Sequence, residues 1–191
     1  MLETHYPIVS LPENPNNKII KKKYKTSVCY EVWNYDKHYF CYDENRKTKN
    51  CRSVIFSDPQ KKILSYSPGK TIFPSVFCKK YKCDDNIYID EYIDGTLIHL
   101  FYDDRIDSWE IASKGAIGGK YSLGKKQSTL RNLFIESLTR ESYSKENDLS
   151  TISLLEYFPK NYCFTFTLLH PENEIVYLLD YPMLYLSAVY D

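Results

Sequence analysis

Glycine is scarce in this 191-residue chain, at six residues, and no apolar run approaches the ~18–20 residues of a membrane-spanning helix. That absence excludes a helical membrane span. There is no excess of either charge: 25 basic residues balance 25 acidic ones, so no global field draws in nucleic acid and any polyanion site must be local. The N-terminus, Met1-Leu-Glu-Thr-His-Tyr6, has no basic start followed by an apolar stretch, and so no secretion signal is read there. The six cysteines have no regular spacing, which fits reduced thiols in a cytoplasmic protein. Cys78 and Cys83 could form half of a zinc site only with Cys41 and Cys51, a spacing that matches no compact motif, so no zinc is expected. P-loop and serine-hydrolase motifs are missing, and Gly115-Ala-Ile-Gly118-Gly119 is too irregular for a dinucleotide loop. The histidines, His5, His38, His99 and His170, form no i,i+4 pair, and His99 sits inside an apolar run as a core residue.

What is present is an apolar content of 43% with aromatics at 16%, enough for a real core in one domain. The abundance of Tyr, Lys, Ile and Asn points to an AT-rich genome, such as that of a large DNA virus or an AT-rich microbe. Residues 1–24 read as an extended N-terminal arm, rich in Pro and Asn up to residue 17, and residues 25–191 read as a single domain. Lys18 to Lys25 is a basic cluster whose lysines suit the solvated side of an edge strand better than an RNA contact. Strands are expected over Thr26–Trp33, Tyr35–Cys41 and Ser53–Phe56, then another after a turn at Asp58-Pro59, ending at Pro68-Gly69. A helix capped by Ser128 follows from Leu130, Leu133, Phe134 and Leu138 at helical spacing, and a second opens at Asp148 or Ser150 and ends at Pro159. Tyr162 to Asp180 reads as a hairpin around His170-Pro-Glu-Asn173, and Leu184 to Tyr190 as a further core strand. The fold class is therefore α+β, a mostly antiparallel sheet with two helices inserted after residue 125.

The stretch from Asn86 to Tyr102 organises the rest. Ile87, Ile89 and Ile93 share one parity, and Tyr88, Asp90, Tyr92 and Asp94 the other, which is strand alternation with one polar side. Asp94-Gly95 breaks the pattern because Gly permits a bend. A second run, Thr96 to Tyr102, turns at Asp103-Asp104-Arg105 and returns as Ser108 to Ser113, so that Tyr92, Asp94, Thr96 and Lys114 are expected near one another.

Glu91-Tyr-Ile-Asp-Gly-Thr-Leu-Ile98 resembles the nucleotidyl-transfer motif, Lys-x-Asp-Gly-Ser/Thr, of the ATP-dependent RNA ligases in the T4 RNA ligase 1-like branch. Arg52, Lys70, Ser113-Lys114-Gly115 and Pro171-x-Asn173 follow the order of that family's other motifs. The resemblance implies the N-terminal part of a nucleotidyltransferase domain, similar to the ATP-grasp-like domain of RNA and DNA ligases, over residues 25–191. It further implies that Arg52, Lys70 and Lys114 hold phosphates of ATP, with Mg²⁺ as its companion ion, and that Tyr88, Tyr92 or Phe101 stacks a base. RNA, or RNA 5′ ends, is the implied partner.

The same comparison exposes losses. In the family a Lys attacks the α-phosphate, whereas here Tyr92 stands at that position, a phenol of unperturbed pKa ~10. Thr167 stands where the family has Glu, Glu174 where it has Arg, and Ser53 where it has Gly. The family's later Lys-x-Lys strand has no counterpart before Asp191, and Lys79, Lys80 and Lys82 would each need a different backbone position to replace the lost amine. The expectation is a truncated, catalytically degenerate ligase-like protein that binds ATP or RNA 5′ ends. The alternatives are an active enzyme with an atypical nucleophile or a second chain supplying the missing motifs, and a non-catalytic protein-interaction module.

Overall fold

Runs of alternating apolar and polar side chains build two four-stranded antiparallel sheets, and the second of them is covered on both faces. The structure, a computed structural model, describes residues 19–38, 48–82, 87, 91–120, 128–143, 151–173 and 179–191. The first sheet has the order β1 (Ile19–Lys25), β2 (Cys29–Tyr35), β3 (Val54–Asp58) and β4 (Ile63–Tyr66). A short helix α1 (Pro74–Lys80) follows, with Pro74 at its first turn, where a missing N–H costs nothing. The second sheet joins β5 (Thr96–Asp103), β6 (Ser108–Ser113), β7 (Cys163–Leu169) and β8 (Met183–Tyr190) in the order β6-β5-β7-β8. Helices α2 (Leu130–Tyr143) and α3 (Thr151–Glu156) lie between β6 and β7 in sequence. Among the described residues no helix is long and apolar enough to cross a membrane.

Strand parity divides the core in two. Ile98, Leu100, Ile111, Phe164, Phe166 and Leu168 pack against Leu130, Leu133 and Phe134 of α2 and Leu155 of α3. On the opposite face Phe101, Ala112 and Ile117 meet Tyr30, Val32 and Ile55 of the first sheet. The result is three layers: sheet, sheet, helices.

Polar contacts fix how the two sheets meet. The Ser53 hydroxyl donates to the Lys114 carbonyl at 2.9 Å, so it must accept from His99 Nε2, also at 2.9 Å. That leaves His99 Nδ1 to accept from the Ser65 hydroxyl at 2.8 Å. Thr165 Oγ1 donates to the Tyr66 carbonyl at 2.9 Å, and Arg105 reaches from Asp103 to the Cys29 carbonyl at 3.0 Å. His99 is the core residue its apolar strand implied.

Several boundaries differ from the sequence expectation. The basic cluster is itself the edge strand β1, so the stretch expected as an arm joins the first sheet from Ile19, and Lys23 pairs with Asp58 at 3.0 Å. Thr129 rather than Ser128 caps α2, accepting from the Asn132 N–H at 3.3 Å, because it directly precedes the first helical residue. The strand expected across 86–94 is not continued by the described residues 91–94, which are irregular. The hairpin turn at 170–173 is present, but the partner of β7 is β8, and residues 174–178 of the expected hairpin lie outside the described residues, as does most of the expected strand 35–41. β8 is half exposed at the sheet edge rather than a core strand, with Leu186 and Val189 facing solvent.

Complete burial holds the His99 imidazole neutral, pushing its pKa down to about 3 from an ordinary 6.5. Above pH ~6.5 the folded and unfolded forms are both neutral here; below it only the unfolded chain takes up the proton, so stability falls as pH drops toward 3. A His99→Gln variant, titrated with urea at pH 7 to 4, is expected to show a pH slope shallower by up to ~1.4 kcal/mol per pH unit. Parallel slopes for the two proteins would show that His99 is not the titrating group.

Candidate functional site

Four segments converge at one end of the interface between the sheets. Tyr35 at the end of β2 donates its N–H to the Cys51 carbonyl at 2.6 Å, and Cys51 closes the turn at Thr48–Asn50 by donating to the Thr48 carbonyl at 3.0 Å. Lys70, beyond β4, donates its N–H to the Lys49 carbonyl at 3.0 Å. The turn after β6 is held through the Lys114 carbonyl, which accepts from Ser53 at 2.9 Å and Asn34 Nδ2 at 3.2 Å, and through the Gly115 carbonyl, which accepts from the Tyr24 hydroxyl.

These ties bring Arg52, Lys70 and Lys114 together, as the sequence implied, and add Lys37. Burial is the largest cause that lowers the Lys114 pKa below the usual lysine range, and the positive charges of Arg52, Lys37 and Lys70 lower it further. Its ammonium lies 5.4 Å from the centre of the Tyr35 ring. Elsewhere basic side chains find acidic partners: Lys61 pairs with Glu31 and Asp58, and Arg105 with Asp103. Among the described residues none of Lys37, Arg52, Lys70 and Lys114 forms an ion pair with a carboxylate. The cluster is a concentration of uncompensated positive charge in a chain that is neutral overall.

Lys70 also lines a cleft of about 500 Å³ with Lys49, Tyr66, Tyr92, Tyr185 and Tyr190. The Tyr190 ring meets Tyr66 edge-on at 5.3 Å between centroids, while Tyr92 is 57% exposed on the rim. Burial raises the Tyr66 pKa well above that of a free phenol, so its hydroxyl stays protonated. Phosphate-binding cations on one side and aromatic faces on the other suit a phosphorylated ligand with a flat ring. No three His, Cys, Asp or Glu side chains converge among the described residues, so a Mg²⁺ ion would come on the polyphosphate rather than sit in a protein cage.

The residues of the Asp-Gly-Thr motif divide. Tyr92 borders the cleft, and Asp94 is exposed. Thr96 Oγ1 accepts from Asn173 Nδ2 at 2.6 Å, joining two motifs that lie far apart in sequence. Ile98 pairs with Ser113, so Thr96 and Lys114 leave the same end of the β5–β6 pair. Phe101 is fully buried between the sheets, edge-on to Tyr30, and cannot stack a base; Tyr88 lies outside the described residues. Thr167, at the position expected to be acidic, is buried and hydrogen-bonded to the Ser187 hydroxyl at 2.7 Å. Glu174, Cys41 and Cys83 lie outside the described residues. Lys79 and Lys80 are exposed on α1, with Lys82 exposed just beyond it. Lys37, Lys49, Tyr66, Tyr185 and Tyr190 belong to no sequence motif and were reachable only through the tertiary fold.

Gly95 is required by proximity to β7 rather than by a bend. A Cβ there would lie 2.8 Å from Leu169 Cδ2, 2.9 Å from the Leu168 carbonyl and 2.9 Å from Thr167 Cγ2. Gly95→Ala is expected to cost ~1–3 kcal/mol in urea unfolding, as for an overpacked core site, because a backbone carbonyl cannot give way as a side chain does. An unchanged urea midpoint would show that β5 and β7 are not packed this closely.

No protein-family model matches this chain, and no curated protein sequence matches it.

Proposed function

We propose that this chain binds ATP or the 5′-phosphorylated end of RNA without ligating it, on a degenerate RNA-ligase-like nucleotidyltransferase scaffold. One observation carries the reading: Arg52, Lys37 and Lys70 surround Lys114 without a carboxylate ion partner among the described residues, and Lys70 continues that cluster into the tyrosine-lined cleft. Like charges held together repel one another, and a polyphosphate removes that repulsion while its oxygens accept hydrogen bonds from the Arg fork and the ammonium groups. Stacking on a ring such as Tyr92 would add ~1–3 kcal/mol per base. The cleft is open, which favours a ligand-binding protein over an interaction module whose ancestral pocket has been filled.

The argument against ligation rests on Tyr92. A phosphoramide adduct requires an amine, and a phenol cannot form one. With Thr167 engaged with Ser187, the acidic group of the third motif is also missing.

ATP and a 5′-phosphorylated oligoribonucleotide are expected to raise the melting temperature, by the equivalent of ~2.7 kcal/mol at a hundredfold excess over Kd, and to do so less at higher salt. Combining Arg52→Ala, Lys70→Ala and Lys114→Ala is expected to weaken binding by at least about tenfold, each substitution removing a charge-assisted contact. Affinity undiminished in that triple variant would overturn the proposal.

A further inference from the structure

Lys114 differs from the other cations of the cluster in how it is held. Its carbonyl is gripped by Ser53 and Asn34, the next carbonyl by Tyr24, and the turn is closed by the Ser113 N–H donating to the Ala116 carbonyl at 2.8 Å. The side chain is half-buried against the Tyr35 ring, and the charges acting on it are those of Arg52, Lys37 and Lys70. Each of these circumstances disfavours the ammonium form and leaves an amine with a free lone pair nearer neutral pH than an ordinary lysine. The cations that destabilise its charge are also the groups that would seat an anionic reactant beside it.

We propose that Lys114 is a nucleophilic amine that forms a reversible imine with a phosphorylated aldehyde held by Arg52, Lys37 and Lys70. The inference rests on the anion-binding reading of the same cluster and assigns that cluster a second ligand class. In the step, the amine lone pair attacks the carbonyl carbon and gives a carbinolamine. Loss of the carbonyl oxygen as water, carrying both amine protons, leaves the C=N bond, with no change in oxidation state. An imine needs only an amine, a carbonyl carbon and a departing water, and no in-line alignment of a leaving pyrophosphate.

The test is incubation of the full chain with pyridoxal 5′-phosphate at pH 7.5, trapping with sodium borohydride, and peptide mapping by mass spectrometry. The expected result is one dominant adduct at Lys114, formed at least about tenfold faster than at exposed Lys79 or Lys80 and similarly faster than with pyridoxal, which lacks the phosphate. Lys114→Arg should abolish that adduct while keeping ATP binding within a few-fold, because it keeps the charge. Lys37→Ala should move half-maximal labelling toward the ~10.4 of an ordinary lysine. Labelling spread over exposed lysines would overturn the proposal. So would pyridoxal phosphate that ATP displaces but borohydride does not trap, an outcome that leaves the anion-binding reading standing. Equal reaction of Lys114 with pyridoxal would remove the phosphate-binding role of the cluster and the proposal with it.

Discussion

The imidazole of His99 is where fold and site are joined. Its two nitrogens link Ser65 on β4 to Ser53 at the start of β3, and Ser53 passes the connection on to the Lys114 carbonyl. Every group in this series is buried or closely packed, so losing one member would leave a polar atom without water or partner, at a cost of ~1–3 kcal/mol. Apolar packing between the sheets tolerates small displacements, whereas a series of directional bonds does not. Because Arg52 is the immediate neighbour of Ser53, the bonds that lock the sheets together also set the distance between two cations of the candidate site.

The cations themselves work against the fold. Charges elsewhere on the molecule are arranged in opposite-sign groups, such as Lys23, Lys61, Asp58 and Glu31, or Arg105 and Asp103. Lys37, Arg52, Lys70 and Lys114 have no such arrangement among the described residues, and Lys114 responds by giving up its proton more readily. A protein stabilised by only ~5–15 kcal/mol tolerates such repulsion where the surrounding framework is rigid. Backbone hydrogen bonds at Tyr35, Cys51 and Lys70 supply that framework. Repulsion of this kind is relieved by a bound anion, which gives the cluster its functional meaning.

Much of the scaffold was legible because it depends on local pattern. Alternation across Thr96–Tyr102 and Ser108–Ser113, with the acidic turn between them, gave β5 and β6, and apolar spacing gave α2. The ordered motif resemblance found Arg52, Lys70 and Lys114, and tertiary contacts bring the three together. Lys37 carried no signal, because a lysine in a polar turn looks like any surface residue until Tyr35 is seen bonded to Cys51. The tyrosines of the cleft come from β4, the irregular stretch before β5, and β8, so only strand order and register place them together. Gly95 was legible as a special position but for a different reason: the constraint is the closeness of β7, which a bend-based reading of Asp-Gly cannot reveal. Phe101 misled because strand parity assigns a face but does not say that a second sheet covers it.

The most direct measurement is a diffraction experiment on crystals of the full chain grown with ATP. The account predicts phosphate density contacted by the side chains of Arg52, Lys70 and Lys114, with the base against Tyr92 in the cleft. ATP seated elsewhere on the protein, with the four cations turned to solvent, would contradict it.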